Sequence, residues 1–166
     1  VTVGESGTGG GFGKFCRGET QISNASRPIS ADEIVACASA NIRYIEIPIA
    51  FDGISVVVHP SNPLTNITMA ELRRVWEPAA ERTVTQWRQV NPHGPAVPLQ
   101  LFGPGTASGT FDYFNEAVNG DGGASRTDYT PSEDDNVVVQ GVGGNPGAIG
   151  YFGYAYYEVR ESHIRI

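Results

Sequence analysis

Apolar residues fall into short strand-like runs that alternate with longer runs at helical spacing. The strand-like runs are Val1–Val3, Ile42–Ile47, Ile54–His59, Leu99–Phe102 and Ala148–Tyr154, and helical patterns begin near Gly10, Ala31, Met69, Gly109 and Glu133. Two of the helix starts, Ser30 with Glu33 and Thr68 with Glu71, fit a capping box, in which a hydroxyl takes one orphan backbone N–H and the acid three residues on reaches back. Alternation of this kind predicts an α/β fold with mostly parallel strands. Asn91–Pro98 and the polar run Asn119–Asp135 read as long surface loops, the second closed by a helix cap within Ser132–Asp135. The opening strand has nothing before it to pair with, and the aromatic run Tyr151–Tyr157, read as a strand, comes just before the last residues. The chain is therefore expected to be an internal piece of a larger protein, incomplete at both termini, whose open sheet edge a second copy could cover.

Composition narrows the function. A length of 166 residues suits one ordinary domain or two small lobes, and 40% hydrophobic residues are enough for a core. The formal charge of −7 argues against nucleic acid as a partner, because neutralising phosphates along a duplex takes a basic face. The longest apolar stretch, Ile45–Val58, is broken by Glu46, Pro48 and Asp52, well short of the roughly 20 apolar residues of a membrane helix. Two cysteines, Cys16 and Cys37, stand near the ends of neighbouring predicted helices. They could be buried thiols, or a disulfide worth about 3 kcal/mol for a loop of this size. Two sulfurs with scattered His59, His93 and His163 make no metal site, and no cofactor is implied.

Two segments rich in glycine and hydroxyls each follow a strand and open a helix: Ser6-Gly-Thr-Gly-Gly-Gly-Phe12 and Gly103-Pro-Gly-Thr-Ala-Ser-Gly-Thr-Phe111. Such turns expose backbone N–H groups at the positive end of a helix dipole, which suits an anion. One alone is an ordinary tight turn; two at equivalent places in two halves point to one anion held between them. Nucleotide signatures fail: the only Gly-Lys, Gly13-Lys14, has Thr8 where a P-loop needs its first glycine. A serine hydrolase using Ser108 is the alternative from another class, with N–H donors beside it but no assignable base. Arg27, in Ser26-Arg27-Pro28, offers a donor fork suited to a tetrahedral oxyanion or to a surface ion pair. Asp52 interrupts apolar sequence and needs a partner.

These two segments, with Ile22-Ser-Asn-Ala-Ser-Arg-Pro28, Phe51–Val58, Ser132–Asn136 and Ile149–Tyr156, resemble the PstS phosphate-binding proteins of bacterial ABC transporters over nearly the whole chain. The resemblance implies a type II periplasmic-binding-protein-like fold, with two lobes and a hinge of crossing strands. Residues 1–52 would be a partial first lobe, 53–147 the second, and 148–166 the return crossing strand and the start of the first lobe's continuation. It implies a non-enzymatic, extracytoplasmic receptor that takes inorganic phosphate, with sulfate or arsenate as alternatives, and hands it to a membrane permease. A role in phosphate sensing would use the same pocket. By the same likeness the phosphate would meet Thr8, Gly9, Ser26, Arg27, Asp52, Ser108, Gly109 and Thr110. Arg27 stands where many relatives carry an aspartate, and Pro104 where an arginine is common. The resemblance therefore implies an exchange: Arg27 supplies the positive charge and Asp52 the carboxylate that accepts the phosphate proton, with Arg126 in reserve. It also favours a Cys16–Cys37 bridge.

Overall fold

A computed structural model describes Gly4, residues 7–158, Ile164 and Arg165, so the predicted strand Val1–Val3 lies outside the described residues. Helices α1 (Thr8–Cys16) and α2 (Ala31–Ser39) come first, followed by strand β1 (Ile54–Val58) and helices α3 (Met69–Trp76) and α4 (Trp87–Val90). Then come β2 (Gln100–Gly103), α5 (Gly109–Asn119), β3 (Thr130–Pro131), α6 (Asp135–Gly143), β4 (Ala148–Gly153) and α7 (Tyr154–Glu158). Both capping boxes form. Ser30 Oγ accepts the Glu33 N–H while Glu33 Oε2 accepts the Ser30 N–H at 2.8 Å, and Thr68 and Glu71 do the same. Helix α5 stops at Gly120, whose φ of 81° is the left-handed geometry of a C-terminal glycine.

The strands form one sheet in the order β1-β4-β2-β3. Strands β4, β2 and β3 run parallel, and β1 pairs antiparallel with β4, Ile54 opposite Gly153. Alternation along β4 builds a core on both faces. Ile149 and Tyr151 pack with Trp76, Trp87, Leu101 and Phe114 beneath α3–α5, while Ala148 and Phe152 meet Val138, Val139 and Val142 of α6. On the first face Tyr151 stacks on Phe114 at 3.7 Å between ring centroids, and Trp76 stands edge-on to both. Buried Trp87 keeps its indole N–H satisfied by donating to the Gly147 carbonyl at 2.8 Å.

Several sequence expectations change. Residues 42–47 form no strand, and the alternating Ile45, Ile47, Ile49 and Phe51 are exposed. A strand exists through its ladder, and no described residue forms a ladder with this segment. The aromatic run Tyr151–Tyr157 is strand only to Gly153 and helix from Tyr154. Its partner β1 begins at Ile54, and the Tyr154 N–H donates to the Gly53 carbonyl as the ladder closes. The polar run 119–135 contains β3, and α4 was not anticipated.

Cys16 and Cys37, both buried, are joined in a disulfide, which sets aside the alternative of two free thiols. It ties the last residue of α1 to the last turn of α2. In protein carrying this whole chain, the pair Cys16→Ala and Cys37→Ala should lower unfolding free energy by about 3 kcal/mol in urea titration. Hydrogen exchange should show the loss first in α1 and α2; unchanged stability would contradict a constraining bridge.

Candidate functional site

Both glycine-rich turns end in helix N-termini, and the fold sets one against the other. The Gly9 N–H donates to the Ala107 carbonyl at 3.3 Å. A β-carbon on Gly7 would stand 1.9 Å from the Ala107 oxygen. One on Gly109 would stand 2.3 Å from Ser26 Oγ and 2.6 Å from Thr8 Oγ1. Both positions therefore need glycine for close approach of the backbone. Thr8 is buried; its hydroxyl lies 3.1 Å from Ser26 Oγ and accepts the Ser26 N–H at 3.2 Å. Ser108 caps α5, its Oγ accepting the Thr110 N–H at 3.2 Å. Among the described residues the Gly109 and Phe111 N–H groups of that first turn have no partner, so the positive end of α5 keeps donors to offer.

Arg27 sits at the edge of this cluster. Its Nη2 is 3.8 Å from where a β-carbon on Gly9 would be, and its guanidinium carbon lies 5.4 Å from the centre of the Phe12 ring. Glu33 of α2 accepts from both terminal nitrogens, at 2.8 and 2.9 Å, and Asp112 of α5 accepts from Nε at 2.7 Å. The Glu33 hydrogen bonds, followed by those of Asp112, raise the Arg27 pKa further and keep it charged. Burial works against the Glu33 carboxylate, but Arg27 and Ser30 hold it below its ordinary range. Glu33 and Asp112 were not among the expected site residues. Glu33 was legible only as a helix cap, and Asp112 is 85 residues from Arg27 in sequence.

Seven of the expected residues thus gather: Thr8, Gly9, Ser26 and Arg27 on one side, Ser108, Gly109 and Thr110 on the other. No described contact joins Asp52 to them. It is exposed, accepts the Gly53 N–H at 2.8 Å, and lies beside Gly153 at the carboxyl ends of the parallel strands. There it adds to the field of Glu133, Asp134 and Asp135. Burial, reinforced by these like charges, pushes the Asp135 carboxyl up to about 6. Arg126 is committed elsewhere, buried and donating to Asp128 and to the Val75 and Val84 carbonyls beside a separate cavity lined by Leu101 and Thr130. The His59 ring is bonded to Ser61, and among the described residues no hydrogen bond pairs a histidine with Ser108.

The sequence profile of the PBP superfamily domain matches residues 1–164. The chain belongs to the PBP superfamily. Among similar proteins of this kind, SphX of Synechococcus elongatus is 53% identical over 165 residues, covering 99% of this chain and 49% of that protein. The phosphate-binding protein PstS of Staphylococcus saprophyticus is 38% identical, covering 99% and 50%. The chain spans about half the length of these curated relatives. Among solved structures, a possible phosphate binding protein from Planctomyces limnophilus is 45% identical with a TM-score of 0.67, over 95% of this chain and 55% of that one. A Clostridium perfringens structure with bound phosphate is 26% identical with a TM-score of 0.72, over 90% and 57%. The PBP-superfamily assignment accounts for the mixed sheet and for helices on both its faces. Among the described residues no helix is long and apolar enough to cross a membrane.

Two outcomes follow from this geometry. Gly109→Ala should force the turns apart at Thr8 and Ser26, read as a change in the amide NMR shifts of residues 7–9 and 26–27; an unmoved spectrum would contradict the contact. Asp135 holds its proton more tightly folded than unfolded, so its charged form costs stability above about pH 6 and the cost fades as pH falls toward the ordinary value of 3.8. Asp135→Asn should therefore raise the melting temperature at pH 7 and leave it nearly unchanged at pH 4.

Proposed function

We propose that this chain carries the anion-gripping part of an extracytoplasmic binding protein that captures inorganic phosphate and delivers it to an ABC permease. The observation that carries the reading is the convergence of Thr8, Ser26, Arg27 and the Ser108–Thr110 turn at two abutting helix N-termini. The donors are of the kinds a tetrahedral oxyanion needs: N–H groups of α5 that have no partner among the described residues, short hydroxyls and one guanidinium. Relatives named as phosphate-binding proteins, and a similar structure holding phosphate, support the choice of ion. The disulfide supports an oxidising compartment.

Binding without reaction fits the role of Ser108. Its hydroxyl serves as a helix cap, and the described histidine ring contacts lie elsewhere, so the hydrolase alternative gains no support. Sulfate at neutral pH carries no proton, whereas hydrogen phosphate donates one, so a fixed carboxylate discriminates between them by repulsion. Asp52 enters this reading as a carboxylate at the same carboxyl-terminal edge of the sheet.

Calorimetric titration of protein carrying the whole chain should show phosphate binding and a much weaker response to sulfate. Equal affinity for the two would remove Asp52 from proton reading, and no heat with phosphate would end the proposal. Arg27→Ala should weaken phosphate by about ten- to a hundredfold, the size of one charge-assisted hydrogen bond.

A further inference from the structure

We propose that Glu33 is a positioning residue of the anion site, acting through Arg27; as a statement about affinity, this rests on the phosphate reading above. A guanidinium has five N–H donors in a rigid plane. In Arg27, Nε–H goes to Asp112, the two Nη1 donors go to the Pro28 carbonyl and Glu33 Oε2, and one Nη2 donor goes to Glu33 Oε1. Among the described residues one donor remains, on Nη2, the nitrogen beside Gly9. Because the fork is planar, the end-on grip of Glu33 on Nη1 and Nη2 fixes the direction of that last N–H. Without it, Asp112 and the Pro28 carbonyl would hold Nε and Nη1 by one hydrogen bond each, and no described partner would hold Nη2.

Glu33 is itself held at two points. Its Oε2 accepts the Ser30 N–H, and its own N–H is capped by Ser30 Oγ. The disulfide ties the far end of α2 to α1, the helix that starts at Thr8. The hydroxyl of Thr8 and the guanidinium of Arg27 are thus set relative to each other by one short frame: α1, disulfide, α2, Glu33, Arg27.

Three roles for Glu33 predict three different results, because the substitution Glu33→Gln keeps a side chain that still completes a capping box. Positioning predicts that phosphate affinity falls about tenfold, with little change in melting temperature. A purely electrostatic role predicts the opposite sign, since Glu33 and Asp112 outnumber the one positive charge and removing a negative one favours an anion. A purely structural role predicts unchanged affinity. Tightened or unchanged binding therefore overturns the proposal. In an Arg27→Ala background Glu33→Gln should cost nothing further; an equal loss there would also overturn it, because the two residues would then act independently.

Nitrogen-15 NMR of the Arg27 side chain separates this proposal from the phosphate reading. Hindered rotation, seen as two distinct Nη signals, is expected in the unaltered protein without phosphate, and a single averaged signal in Glu33→Gln. Averaged signals in the unaltered protein would overturn the positioning role whatever the ligand. Hindered rotation released by Glu33→Gln, in a protein that gives no heat with phosphate, would sustain the grip and discard the ligand.

Discussion

The close approach of two turns that carry no β-carbons is the constraint on which the rest of the site depends. Gly7 and Gly109 bring the start of α1 against the start of α5, and any side chain at either place would meet backbone or hydroxyl oxygen at under 3 Å. Helix N-termini repel each other as like partial charges, so bringing two together has to be offset locally. Here the Gly9 N–H is satisfied by the Ala107 carbonyl across the contact, and Thr8 and Ser26 bond to each other on the α1 side, the Thr8 hydroxyl accepting the Ser26 N–H. Among the described residues the Gly109 and Phe111 N–H groups are left without a partner at the start of α5.

Charge at this locality is scarce. Arg27 stands beside Gly9 and is shared by two carboxylates, so the cluster of three sums to a negative charge within a chain already at −7. Long-range attraction offers an anion nothing here. Any pull on one would come from short-range donors, each of which counts for more where the dielectric is low. The same arithmetic gives the Arg27–Asp112 pair a mechanical role: it links residues of α5 to the loop before α2, across 85 residues of sequence.

The sheet supplies the platform. With β4 buried on both faces, its carboxyl end and that of β2 point the following turns to one edge. The glycine-rich turn after β2 and the acidic group of Asp52, Glu133, Asp134 and Asp135 both lie along that edge. An elevated carboxyl at Asp135 is the cost of crowding negative charge beside a buried strand end.

The sequence alone was sufficient for whatever is encoded within a few residues. Both capping boxes, the helix starts at Ala31, Met69 and Gly109, and the central strands follow from local hydrogen bonding and hydrophobic period, and they formed close to where the pattern put them. The gathering of Thr8, Ser26, Arg27 and Ser108–Thr110 was anticipated through the likeness of their motifs to a known family. Tertiary structure alone decided the rest. Residues 42–47 have strand periodicity but no described ladder partner, Tyr154 leaves the sheet opposite the start of β1, and Asp52 adds to the field at Asp135 with no described contact to the hydroxyl cluster. Glu33 and Asp112 were invisible as site residues because a charge's partner is fixed by distance in space, and one-dimensional spacing carries no information about that.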